Sequence, residues 1–259
     1  MALPRPFACA LTVMLLAVAP AVAETPVEAA RTLLRAWHED PVRLDRARAL
    51  LETAAIADPA PATLIELSRT WFLVGGFRAR SDGEKLLAYE RGTASAKRAV
   101  AAAPRDEQAH LWFAINTGRW LETKGVLRAA AMLSTIREES ETVLRLNPSS
   151  VDGLILAGAL AAGIPGFLGG DRAKAEMHLK RAVEIDPHHT GARLQLAQLY
   201  SMARRWPEAR RELTRVLDEP TPTDLPYWAM SDARRARALL VEIGERGAPA
   251  GASGAMQSP

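Results

Sequence analysis

Four prolines set the rhythm of this chain. Pro59, Pro104, Pro148 and Pro187 each close a stretch of helix-favouring sequence, and the residues ahead of them correspond. Five positions before each proline stand Ala54, Ala99, Val143 and Ala182; four before stand Ala55, Val100, Leu144 and Val183. Proline lacks the amide N–H and clashes with the preceding turn, so a helix stops ahead of it. Small or branched residues at one fixed place on each helix let a neighbouring helix approach closely there. The alternation of β-branched and aromatic residues that marks strands never runs for more than a few positions. The expected fold class is all-α, built from repeated helical units.

The spacing sharpens this. Ala175, Leu179 and Ala182 recur as Ala209, Leu213 and Val216, each 34 positions later. That is the tetratricopeptide period, in which a helix A, a turn and a helix B stack so that neighbours bury each other's apolar faces. Leu196, Ala197 and Tyr200 supply the large, small and aromatic residues that such a helix A wants. The expectation is a tetratricopeptide-like helical-hairpin repeat array, an α-solenoid, of about four hairpins. A capping helix follows near Asp232 to Glu245. The earlier units are longer than the period. Their excess is assigned to glycine-containing insertions between helices A and B, at 75–85, from Gly118 through Gly125, and at 163–171, which emerge along one edge of the stack.

At the N-terminus, Arg5, an apolar run from Phe7 to Ala19 and the small-x-small triplet Ala21-Val22-Ala23 predict a secretory signal over residues 1–23, cleaved ahead of Glu24. The run is too short for a membrane anchor, which needs about 20 apolar residues. Cys9 is the only cysteine; it precedes the apolar run, so it is no lipid-anchor site, and it leaves with the signal. The mature chain then has neither a disulfide nor a thiolate metal ligand. A soluble periplasmic protein is expected, with a repeat domain over 24–246 and a disordered small-residue tail over 247–259. Lys plus Arg number 33 and Asp plus Glu 30, interspersed, which gives no footprint for nucleic acid.

Chemistry-bearing motifs are few. "GFLGGD" ahead of a helix suggests a phosphate cradle, but it lacks the Lys-Ser/Thr ending of a P-loop and Asp171 would repel the anion. Asp171 is better read as a helix cap. No histidine pair has zinc-ligand spacing and no serine sits in a nucleophile elbow, so no metal, cofactor or catalytic function is expected. "DEQAHLWFAINTGRW" is less ordinary. Trp112, Asn116 and Trp120 are four apart and share a helix face, setting an amide between two indoles. One reading puts both rings in the inter-repeat core. The other makes them a pocket wall with one orienting polar group, which the cost of a buried, unpaired amide favours.

The segments "AHLWFAINTGRW", "KGVLRAAAMLSTIREESETVLRLNPSSVDG" and "IPGFLGGDRAKAEMHLKRAVEIDP" resemble the TRAP transporter T-component (TatT) family, most strongly from Ala109 to Tyr200. The resemblance implies a periplasmic, tetratricopeptide-like, non-catalytic accessory. Its partner would be the substrate-binding P-component of a tripartite ATP-independent transporter. It also implies a homo-oligomer with a hydrophobic cavity for an apolar or amphipathic ligand. The ligand site expected on this chain comprises Trp112, Asn116, Trp120, Ile164, Phe167 and Leu168, with Gly166, Gly169 and Gly170 as loop hinges. The lipobox cysteine of many T-components is missing here. A periplasmic interaction scaffold without ligand or transporter is the alternative.

Overall fold

The structure, a computed structural model, describes residues 24–124, 126–166 and 169–247, without the side chains of 126–131. The expected signal segment, the tail past Gly247, and Phe167 and Leu168 lie outside the described residues. Those described form helices: α1 (Pro26–Leu34), α2 (Val42–Ala57), α3 (Pro61–Phe77), α4 (Asp82–Ala102), α5 (Glu107–Lys124), α6 (Val126–Leu146), α7 (Val151–Gly163), α8 (Arg172–Ile185), α9 (Thr190–Met202), α10 (Trp206–Leu217), a short α11 (Leu225–Tyr227) and α12 (Ala233–Gly247). A π-helical segment, Trp228–Asp232, joins α11 to α12.

Consecutive helices pair into antiparallel hairpins, α1–α2 through α9–α10. The four prolines close the first four, and α9–α10 adds a fifth, one more than the sequence suggests. Helix starts follow local chemistry. Thr25, Ser81, Ser150 and Asp171 accept from free backbone N–H groups of α1, α4, α7 and α8, and Pro26, Pro61 and Pro207 occupy first-turn positions where no amide is needed.

The stack has a definite inside. Successive first helices touch one another (α1 with α3, α3 with α5, α5 with α7, α7 with α9), whereas among the described residues the second helices of neighbouring hairpins make no comparable contact. The second helices therefore splay outward and the first helices line the concave side. The small residues ahead of the prolines sit at the crossings: Ala99, Val143 and Ala182 are fully buried. In the first hairpin Ala55 takes that place, since Ala54 is half-exposed.

Two of the three expected insertions are not loops. Gly75 and Gly76 lie inside α3 and Gly118 inside α5. The extra length lengthens α3 to α6, which run to 17, 21, 18 and 21 residues. Gly75 is there for packing, because a Cβ would stand 2.5 Å from the Tyr89 ring on α4. Of the three, the segment between α7 and α8 is the one that widens a turn.

The last hairpin holds a buried ion pair. Arg193 Nη1 donates to Glu212 Oε2 at 2.9 Å, and its Nε and Nη2 both donate to the Pro187 carbonyl, so one guanidinium ties α9, α10 and the preceding turn.

Candidate binding groove

On α3 a stripe of half-buried and exposed residues runs through Ala62, Ile65, Arg69, Phe72 and Gly76. On α5 the corresponding stripe is Gln108, Trp112, Ile115, Arg119 and Glu122. Three- and four-residue steps keep each stripe on one helix face. Both helices are first helices, so the stripes lie side by side on the concave surface.

The groups on them interlock. The rings of Phe72 and Trp112 are 5.5 Å apart, and the Arg119 guanidinium lies 5.7 Å above Phe72, within cation–π range. Arg119 also donates to Glu122 at 2.9 Å. Burial lowers its pKa, but the Glu122 carboxylate and the phenols of Tyr227 and Tyr89 outweigh that and raise it. Arg119 is thus a fixed cation beside two aromatic faces.

A polar junction beneath the stripes fixes their spacing. Ser68 Oγ on α3 donates to the Gly92 carbonyl on α4 at 2.8 Å. Asn116 Nδ2 on α5 donates to Ser68 Oγ at 3.0 Å and to the carbonyls of Ser68 and Trp112. Asn116 is fully buried, and its Oδ1 has no hydrogen-bond partner among the described residues. That oxygen faces Gly92, where a Cβ would come within 2.4 Å of it.

Trp112, Asn116 and Trp120 therefore do not form one wall. Each four-residue step turns the helix about 40° past a full circle, so the first and last of three differ by about 80°. Trp112 stays on the groove with Phe72. Asn116 turns into the junction with α3 and α4. Trp120 reaches the cluster of Met132 on α6 and Leu156 and Leu160 on α7, with Lys124 Nζ 5.5 Å from its ring.

The loop after α7 is closed by its own backbone. Gly169 N donates to Gly166 O, Gly170 N to Pro165 O and Asp171 N to Ala161 O. Gly169 has a φ of +91°, and a Cβ on Gly170 would lie 1.7 Å from the Ile164 carbonyl. Both glycines are demanded by the turn. Gly166 faces open space and Ile164 is half-buried.

The groove has an occupant that the sequence reading missed. The chain after α10 crosses back to the first hairpins. The Tyr227 ring stacks near-parallel on Phe72 (6.3 Å) and meets Phe77 edge-on (5.5 Å). Asp224 Oδ2 lies 3.7 Å from Arg69 Nη2. Under this crossing runs a cavity of about 360 Å³, lined by Arg31, Leu34, Arg35 and Arg69 on one side and by residues 222–226 on the other. A second cavity, of about 440 Å³, opens on the outer side between α7 and α8, beside Leu154, Met177 and His178. Among the described residues no group of His, Cys, Asp and Glu could hold a metal ion, and no helix is long and apolar enough to cross a membrane.

A tetratricopeptide-repeat family model matches residues 167–234. The fold is tetratricopeptide-like. A thermophilic tetratricopeptide protein of Thermus thermophilus superposes with a TM-score of 0.59 at 25% identity, over 82% of this chain and 100% of its own. The crystal structure of MamA is a looser neighbour, with a TM-score of 0.47 and 16% identity over 72% of this chain and 94% of its own. No curated protein matches the chain. The matched family segment covers the tetratricopeptide units α8 to α10, where the 34-residue recurrence is read, and the crossing segment behind them.

Proposed function

We propose that this tetratricopeptide-like chain is a non-catalytic scaffold that binds a segment of a partner protein along its concave groove. The observation that supports this most is the pairing of flat rings with fixed cations on the two adjacent stripes: Phe72 and Trp112 beside Arg69 and Arg119. Aromatic and arginine side chains are the groups most enriched where proteins bind proteins.

The resemblance over Ala109 to Tyr200 supports a finer reading. In it the chain is a periplasmic T-component-like accessory of a TRAP-type transporter, homo-oligomeric, whose partner is the substrate-binding P-component. An apolar or amphipathic ligand would sit near Trp120, Ile164, Phe167 and Leu168. Affinity capture from the native cell envelope tests both levels. Wild-type protein is expected to recover the substrate-binding protein, and Trp112→Ala combined with Arg119→Glu to lose it. Recovery of other envelope proteins through the same two residues would keep the scaffold and remove the transporter. Equal recovery by wild type and variant would remove the groove as the docking surface. Quenching of tryptophan fluorescence by an amphipathic probe, reduced in Trp120→Phe, tests the ligand.

A further inference from the structure

The segment that crosses the groove is held by hydrogen bonds at one end of the stack and by apolar packing and one open ion pair at the other. Toward the C-terminal hairpins, Thr223 Oγ1 donates to Asp186 Oδ2 at 2.7 Å and Thr223 N to the His188 carbonyl. Trp228 Nε1 donates to the Val216 carbonyl at 2.7 Å, and Thr190 Oγ1 to the buried Asp232 at 2.8 Å. Toward the N-terminal hairpins the polar contact is the Arg69–Asp224 pair at 3.7 Å, whose side chains are 35% and 40% exposed. An ion pair that open to water contributes little. The Tyr227 ring contacts Phe72 and Phe77, Met230 packs on the N-terminal core, Pro226 is buried, and a 360 Å³ cavity lies between the segment and α1.

We infer that Asp224-Leu225-Pro226-Tyr227 is an in-chain stand-in for the groove's ligand. The ligand is then a partner segment of the same chemistry: an acidic residue followed by an aliphatic residue, a proline and an aromatic ring. The carboxylate and the ring have receivers in the structure, while Leu225 stays 45% exposed. The carboxylate goes to Arg69, with Arg31 and Arg35 on the same cavity wall, and Arg35 makes no ion pair among the described residues. The ring goes between Phe72 and Phe77. The proline, in the first turn of the short α11, fixes φ and lowers the entropy lost when the segment binds. Displacement breaks the open Arg69–Asp224 pair and uncovers the Tyr227 ring and the buried Pro226, while the anchors to Asp186, His188, Val216 and Thr190 can remain. The inference deepens the scaffold reading and rests on it, since a groove that binds no protein has no use for a stand-in.

The test is fluorescence anisotropy of a labelled synthetic peptide spanning residues 219–231, titrated with the full chain and its variants. Wild type is expected to bind weakly, because its own segment occupies the site for most of the time and lowers the apparent affinity by the open fraction. Asp224→Lys sets a like charge beside Arg69 and removes the cap that Asp224 Oδ1 gives the Tyr227 N–H. It thereby loosens the in-chain segment and is expected to bind the peptide several-fold more tightly than wild type. Tyr227→Ala is expected to act in the same direction. Arg69→Glu added to Asp224→Lys, and peptides carrying Asp224→Lys or Tyr227→Ala, are expected to lose the gain. Equal binding by wild type and Asp224→Lys, with unchanged circular dichroism, overturns the inference. So does elution of Asp224→Lys as a dimer, which would assign the groove to a second copy. A chain that captures its partner through Trp112 and Arg119 yet gains no peptide binding on opening keeps the scaffold and loses the stand-in.

Discussion

From Val151 to Leu217 the stack is short-limbed and its recurring crossings are apolar, with the Arg193–Glu212 pair in the last hairpin; from Pro61 to Leu146 it is long-limbed and crosses on polar groups. In the first region the helices have 13, 14, 13 and 12 residues, and Ala175, Leu179, Ala182, Ala209, Leu213 and Val216 are all at 0 or 1% exposure. In the second the helices reach 21 residues, and one crossing joins Ser68, Gly92 and Asn116. Apolar crossings are fixed by volume, which any repeat can restate with the same few residues. A polar crossing is fixed by matching donors to acceptors, so it is particular to one place. The first region is periodic for that reason and the second is not.

The largest effect should come from the apolar region. Leu213→Ala is expected to cost about 2–5 kcal/mol in urea unfolding, the lost transfer energy plus the cavity. A cost well under 1 kcal/mol would mean that α9 and α10 collapse onto the gap, and that the crossing is not set by volume. In the polar region, Gly92→Ala places a methyl against Asn116 Oδ1 and is expected to cost about 1–3 kcal/mol. Adding Asn116→Ala should return part of that loss; no recovery would put the clash elsewhere. Ser68→Ala is expected to cost about 1 kcal/mol, because Asn116 Nδ2 keeps the Ser68 and Trp112 carbonyls as acceptors.

The smallest effect lies where the crossing segment is anchored to α9. Burial raises the pKa of Asp232 above its ordinary 3.8, against the hydrogen bond from Thr190 and the charges of Arg235 and His189. The folded chain then holds this proton more tightly than the unfolded one. The contribution is fully present below 3.8 and is lost as pH rises through the raised value. Asp232→Asn keeps an oxygen for Thr190 without the charge. Its stability relative to wild type is expected to rise between about pH 4 and pH 7. A difference that stays flat over that range would mean the carboxylate ionises at no cost in the fold.

The periodic region was readable because its packing residues recur at a fixed interval, and α8, α9 and α10 fall where that interval puts them. The longer region misled in a specific way. Gly75, Gly76 and Gly118 read as loop punctuation, yet helix geometry tolerates an interior glycine for about 1 kcal/mol, and Gly75 returns that through close contact with Tyr89. The site was half legible. Trp112 was singled out, but the rotation of a helix over successive four-residue steps separates it from Asn116 and Trp120. Arg69 and Phe72 left a signal in the α3 stripe. Tyr227 and Asp224 left none, because their partners lie 150 or more residues away and no local pattern encodes such a meeting.

An ordinary array of repeats is open-ended, and hairpins can be duplicated or deleted inside it while those on either side keep their neighbours. The return of Asp224 and Tyr227 to α3 removes that freedom. The crossing can be made only when the intervening hairpins carry the chain through the right amount of turn and rise. One hairpin more or fewer would carry Tyr227 past Phe72 or leave it short. The latch thus works as a ruler: it counts the units of the solenoid, and a gene that gained or lost one would lose the closure along with it.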